Sequence, residues 1–208
     1  MIANRSVEFF DAQFRRQAAN ADLALNPFEA AALSHLRGDV LDIGCGLGNL
    51  ALAAARRGCT VLAADASPAG IESLDARGRA QGAPLRALVA DAREFDPRRS
   101  FDAVVSIGLL MFFDCATARS LLRRWQAWVR PGGLMAVNVL VEGTTYLDMF
   151  DPSGHCLWKP DDLDREFAAW ETLAVADDEF PAPHGSLKRF HTLIARKRTA
   201  DSPAIIAP

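Results

Sequence analysis

The residues best suited to chemistry stand together in Val40-Leu41-Asp42-Ile43-Gly44-Cys45-Gly46-Leu47-Gly48-Asn49. Glycines directly after an apolar run let the backbone turn sharply and approach a ligand, at the start of a helix whose free N–H groups point outward. The spacing is G-x-G-x-G, not the G-x-G-x-x-G of dinucleotide folds, where a helix start receives a pyrophosphate. Asp42, just ahead of the glycines, would repel a pyrophosphate and suits a ligand bearing an ammonium and a sulfonium. Asp65 closes Val61-Leu62-Ala63-Ala64-Asp65, where this architecture accepts ribose hydroxyls. Asp91, in Ala90-Asp91-Ala92, can accept from an adenine amino group while the next backbone N–H meets a ring nitrogen. Each aspartate alone is an ordinary cap or loop acid. Three at successive strand ends, the first beside a glycine loop, make one site.

The elements that must position these residues follow from the pattern of the chain. Val7, Phe10 and Phe14 share a helical face over Val7–Ala21, opposite Asp11, Arg15 and Arg16. Asn26-Pro27-Phe28-Glu29 reads as a helix start with a capping box, and Gly38 ends that helix. Strands and helices then alternate. The strands are Asp39–Ile43, Thr60–Ala64, Leu85–Ala90, Phe101–Ile107 and Leu134–Leu140, the last entered through a turn at Pro131-Gly132-Gly133. The helices are Leu50–Arg57, one from Ser67-Pro68 to Gln81, and one capped by Asp114. This alternation implies a parallel sheet covered on both faces. A short helix over Pro160–Trp170 precedes strands Glu171–Asp177 and Arg189–Lys197, which a turn around Pro181–Gly185 joins into an antiparallel edge hairpin.

Composition narrows the class. The chain has 208 residues, half of them hydrophobic, and a net charge of −3. One domain with a sizeable core is expected, and the absence of a basic stripe argues against a nucleic-acid partner. The organisation read is an N-terminal helical cap over 1–37, a catalytic domain over 38–197 and an unstructured tail over 198–208. Cys45, Cys59, Cys115 and Cys156 lie far apart without a C-x-x-C pair, which suits neither a zinc site nor a small disulfide scaffold, and no metal is expected. No signal-like stretch opens the chain and no apolar run reaches a membrane span, so a cytoplasmic protein with no membrane partner is the expectation. Oligomeric state is left open.

Asp42-Ile43-Gly44-Cys45-Gly46-Leu47-Gly48-Asn49, the acids Asp65 and Asp91, Phe101-Asp102-Ala103-Val104-Val105-Ser106 and Arg130-Pro131-Gly132-Gly133 resemble class I S-adenosylmethionine (SAM)-dependent methyltransferases over roughly residues 37–140. The resemblance implies a Rossmann-like α/β fold, with a seven-stranded sheet of order 3-2-1-4-5-7-6 and strand seven antiparallel. It implies SAM as cofactor and S-adenosylhomocysteine as product. The implied cofactor contacts are Asp42, Gly44, Cys45, Gly46, Gly48, Asn49, Asp65, Ala66, Asp91, Ala92 and Ser106. Phe9, Phe10 and Phe14, Ile107–Phe113 and Lys188–Lys197 add a resemblance to the tellurite-resistance branch of small bacterial methyltransferases. That branch carries a His-Arg pair between the last two strands. Here the loop is shorter, Phe180-Pro-Ala-Pro-His-Gly-Ser-Leu-Lys-Arg, and no His directly precedes Arg.

Methyl transfer is an in-line displacement for which positioning can supply most of the acceleration. The expected acceptor is a small molecule, with tellurite-like oxyanions first and a thiol, a selenium compound or another metabolite as the alternative. His184 and Arg189 are the catalytic candidates, the first as base or anion-steering group and the second to meet an anionic acceptor. Phe10 and Phe14 are lid candidates, and Tyr146 and His155 lie in a further loop over the strand tips. Packing is an equally ordinary role for all four. The Ser106-Ile107-Gly108-Leu109 sequence after strand four lacks the Asp/Asn-Pro-Pro-aromatic of adenine-amino methyltransferases. A SAM-binding protein without catalysis is the competing reading.

Overall fold

The computed structural model describes residues 5–19, 23–151, 154–159 and 161–199. Two helices lead, α1 (Arg5–Ala19) and α2 (Pro27–Leu33). The alternating core follows as β1 (Asp39–Ile43), α3 (Asn49–Arg56), β2 (Thr60–Asp65), α4 (Pro68–Ala80), β3 (Leu85–Val89), β4 (Phe101–Ile107), α5 (Cys115–Trp128) and β5 (Val129–Leu140). The chain closes with α6 (Asp162–Glu166), β6 (Glu171–Pro181) and β7 (Leu187–Arg196). The seven strands form one sheet of order β3-β2-β1-β4-β5-β7-β6. β1 to β5 run parallel, and β7 lies antiparallel between β5 and β6. This is the Rossmann-like order expected from the sequence.

Strand alternation sorts the core onto two faces. Leu41, Ile43, Val104 and Met135 pack with Leu122 and Trp125 of α5 and with Leu163, Phe167 and Trp170. Val40, Ala103, Val105 and Ala136 pack with Ala32, the α3 alanines and Leu74 of α4. Helix starts are set by local chemistry. Asn26 Oδ1 accepts from Glu29 N while Glu29 Oε2 accepts from Asn26 N, a closed capping box. Ser67 and Asp114 cap α4 and α5 through Gly70 N and Thr117 N.

Several boundaries depart from the sequence expectation. α2 ends at Leu33, because residues 34–35 already form a turn, and Gly38 (φ +67°) serves instead as the bend into β1. β5 begins at Val129, so Pro131–Gly133 bulge within a strand: Val129 pairs with Phe101 and Leu134 with Ala103. α6 stops at Glu166, and tight turns at Phe167 and Trp170 let both rings enter the core. β6 runs four residues further than read, to Pro181.

The cysteines also depart from it. Cys115, at the start of α5, forms a disulfide with Cys156 in the loop after β5, closing a separation of 41 residues. β4 and β5 are parallel neighbours, so α5 and the loop after β5 start from the same edge of the sheet. Sequence distance concealed this proximity. Of the expected tail, residues 200–208 lie outside the described ones.

Candidate active site

A cavity of about 570 Å³ opens where β1 to β4 end, lined by Ile43–Asn49, Ala64–Ser67, Ala90–Ala92 and Ile107–Leu109. The glycine loop is pinned to β2, with Gly44 N and Cys45 N both donating to Ala64 O. Gly46 (φ +54°) needs glycine twice over: its backbone is left-handed, and a Cβ there would stand 2.9 Å from the Phe14 ring. Gly70 of α4 lies so close beneath that a Cβ would meet the Gly46 carbonyl oxygen at 2.5 Å. Arg77 of α4 braces the loop by donating to Leu47 O and to Asn49 Oδ1.

Asp65, at the tip of β2, accepts from Gly46 N and Ser67 N, each at 2.8 Å. Burial nevertheless raises its carboxyl above the usual range. Each oxygen retains a lone pair for a further donor. Asp91 and Ala92 line the β3 end of the cavity, and the Arg93 guanidinium and backbone N–H hold the Asp91 carboxyl below its ordinary value.

Asp42 and Ser106 are placed differently from the other expected cofactor contacts, because neither lines the cavity. Asp42 shares the strand face of Val40, which turns it under the loop toward α3, where its carboxylate accepts from Ala51 N. It is 4% exposed. Burial, and then the charges of Glu29 and Asp65, push its carboxyl up to about 8. Ser106 is fully buried within β4. Cys45 lines the cavity, but burial raises its thiol well above the ordinary value and keeps it protonated.

α1 covers the site. Val7, Phe10, Gln13, Phe14 and Gln17 face the cavity, and Asp11 ties the helix down by accepting from Ser67 Oγ (2.6 Å) and Ala69 N (2.9 Å). The rings continue across the cavity mouth: Phe14 to Phe10 at 5.8 Å, Phe10 to Phe112 at 5.0 Å, and Phe112 to Phe150 at 5.2 Å. His155 stacks on Phe150 at 4.9 Å. So Phe10 and Phe14 are at the site, His155 is one ring removed, and Tyr146 lies outside the lining under Lys188.

The catalytic candidates are not brought to the cavity. His184 occupies the exposed corner of the β6–β7 hairpin with φ +60°, and Arg189 pairs with Glu179 across that hairpin. β5 separates β7 from β4, and at about 4.8 Å per strand the hairpin corner stands well to the side of the β1–β4 tips. The longer β6 carries the corner outward as well. Sequence reasoning missed Glu29, Leu109, Phe112 and Phe113, all of which line the cavity. The apolar run Ile107–Phe113 was the available signal for the last three. Glu29 had been accounted for as a cap.

Residues 40–133 match the family described as a methyltransferase domain. The curated relatives include hemagglutinin 1 of Eikenella corrodens, 33% identical over 64% of this chain and 44% of that one. They also include the ubiquinone biosynthesis O-methyltransferase of Rhizobium rhizogenes, 36% identical over 60% of this chain and 49% of that one. The chain thus spans about half the length of these relatives. Among solved structures, TehB of Haemophilus influenzae superposes with a TM-score of 0.72 at 18% identity, covering 84% of this chain and 63% of TehB. The N-methyltransferase NodS of Bradyrhizobium japonicum WM9, in complex with S-adenosylhomocysteine, gives 0.68 at 17% identity, covering 91% of this chain and 99% of NodS. At these identities the structural likeness is one of fold.

Residues 40–133 carry the match to a methyltransferase domain, and the sheet order and the cavity agree with a SAM-dependent one. The residues present fit that cofactor. The glycine loop, packed without side chains between Phe14 and Gly70, lines a cavity that has carboxylates where hydroxyls and amino groups need acceptors. Among the described residues no lysine, arginine or histidine lines it, which suits a ligand that brings its own positive charge. When bound, SAM supplies an electrophilic methyl group on a sulfonium. In this methyltransferase domain Asp65 would hold the ribose, Asp91 and Ala92 the adenine edge, and the Gly44–Gly48 backbone the amino-acid end. Among the described residues no helix is long and apolar enough to cross a membrane, and no cluster of side chains suits a metal.

Proposed function

We propose that the protein methylates a small acceptor that is neutral and largely apolar, presenting a soft or already basic nucleophile. The supporting observation is the apolar part of the cavity lining. It comprises Phe10, Leu109, Phe112 and Phe113, with Gln13 and Gln17 as uncharged polar groups. The acids Glu29, Asp65 and Asp91 line the same cavity, and among the described residues no histidine or lysine does. An acceptor that needed a proton removed would find no histidine or lysine there, so the residues act by holding nucleophile and methyl in line and by excluding water. α1 serves as the lid that completes this enclosure.

Tellurite-like oxyanions form the second reading, favoured by the fold shared with TehB. An oxyanion entering this cavity would meet carboxylates and aromatic faces without a protein cation to offset desolvation. A radiolabelled-methyl assay across phenols, thiols, amines, selenite and tellurite separates the readings. Transfer to an apolar thiol or amine with none to the phenols or oxyanions supports the first. Transfer to tellurite alone overturns it.

A further inference from the structure

Glu29 has a structural duty that accounts for half of its carboxylate. Oε2 accepts from Asn26 N at 2.8 Å in the capping box of α2, and no hydrogen bond among the described residues engages Oε1. Yet Glu29 lines the cofactor cavity, together with Leu25 and Asn26. Its location along that cavity can be read from the neighbouring contacts. The β3 tip and the β2 tip carry the adenine and ribose positions, and the glycine loop after β1 follows in sheet order. The segment before α2 closes the next wall: Asn49 Nδ2, just past the glycines, donates to Ala24 O at 3.3 Å. α2 then packs on α3 and β4. Glu29 thus stands at the far end from adenine, where an extended ligand's amino-acid portion ends. Burial keeps its carboxyl above the ordinary range, and its charge is felt by Asp42.

We infer that Glu29 is a cofactor-binding residue, receiving the α-ammonium group of SAM and of S-adenosylhomocysteine while it caps α2. The inference rests on the SAM reading of the cavity and goes beyond it by assigning recognition of the amino-acid end to a residue outside the glycine loop. A single glutamate then does two jobs: fixing the first turn of α2 fixes the carboxylate that meets the ligand. The contact also discriminates, because adenosine derivatives that lack the amino-acid portion gain nothing from it.

Glu29→Gln separates the two duties. A glutamine at this capping-box position can still accept from Asn26 N, so the helix start is kept and only the charge is lost. Calorimetry on the full chain should use three ligands, SAM, S-adenosylhomocysteine and 5′-methylthioadenosine, the last lacking the ammonium. The expected result is that Glu29→Gln weakens the first two by about tenfold or more, the scale of a lost charge-assisted contact, and leaves 5′-methylthioadenosine within about twofold. Equal affinity of variant and wild type for S-adenosylhomocysteine overturns the inference. So does a parallel loss for 5′-methylthioadenosine, which would mark a structural effect. Wild-type protein that binds none of the three overturns the SAM reading itself, a distinct outcome.

Discussion

The two sides of the cavity are built on different principles. The cofactor side consists of strand tips and a backbone loop: glycines with left-handed φ and carboxylates at the ends of β2 and β3. The acceptor side consists of side chains only, contributed by α1, the 3-10 turn at Leu110–Phe112 and the segment around it, with Phe150 and His155 behind them. The first is set by the sheet and tolerates little change. The second is a packed surface whose shape can be altered residue by residue. A common cofactor and a variable acceptor call for that division.

The comparison is sharpened first at Asp65. Its carboxylate supports the loop through Gly46 N and lines the cavity where a SAM ribose is proposed to lie, so Asp65→Ala should weaken SAM by roughly 10- to 150-fold, as measured by calorimetry. Unchanged affinity would break the claim that the cofactor side is the rigid one. Phe112 is the counterpart on the acceptor side. Phe112→Ala removes the ring that joins Phe10 to Phe150; it should lower kcat/KM for the acceptor by about tenfold, the scale of one lost aromatic contact, and leave SAM affinity within about twofold.

Asp42 gives a pH test. Its carboxyl is raised from 3.8 to about 8, so between those values the folded chain holds a proton that the unfolded chain releases. Stability from this group is therefore lost as pH rises through that window. Asp42→Asn, which keeps an acceptor for Ala51 N, should flatten the fall in Tm from about pH 5 to about pH 8. It should also weaken SAM at alkaline pH, where the wild-type carboxylate is charged. A Tm that rises with pH in wild type would contradict this account. The smallest effect belongs to His184→Ala and Arg189→Ala. With both side chains outside the cavity, SAM affinity and transfer rate should stay within about twofold of wild type, and a large rate loss in His184→Ala would return the hairpin corner to the mechanism.

The same division explains what could be read from the chain. Gly44–Asn49, Asp65 and Asp91 were legible as cavity residues because backbone turns and strand tips leave marks at fixed spacing: Gly46 must be glycine, and Asp65 must end an apolar run. The Asn26–Glu29 cap was legible for the same local reason, but its second use was hidden, since only the packing of α2 on α3 and β4 shows which way Glu29 faces. Cys115 and Cys156 illustrate the limit: nothing between them in sequence signals that their elements start at one sheet edge. His184 failed as a candidate because the length of β6, set by pairing with β7 as far as Pro181 and Leu187, could not be judged from apolar pattern in a strand whose Asp177, Asp178 and Glu179 look like a loop.

Asp11 gives α1 a mechanical connection that its aromatic face does not. By accepting from Ser67 Oγ and Ala69 N, it serves as a borrowed cap for α4, the helix whose Gly70 supports the glycine loop from below. Any outward swing of α1 strips that cap, at a cost of about 1 kcal/mol, and bares the first turn of α4 to water. The roof and the floor of the chamber are thus geared to one another, so that lifting one loosens the other. The Ala69 amide is the natural reporter: its hydrogen-exchange rate counts how often the roof lifts.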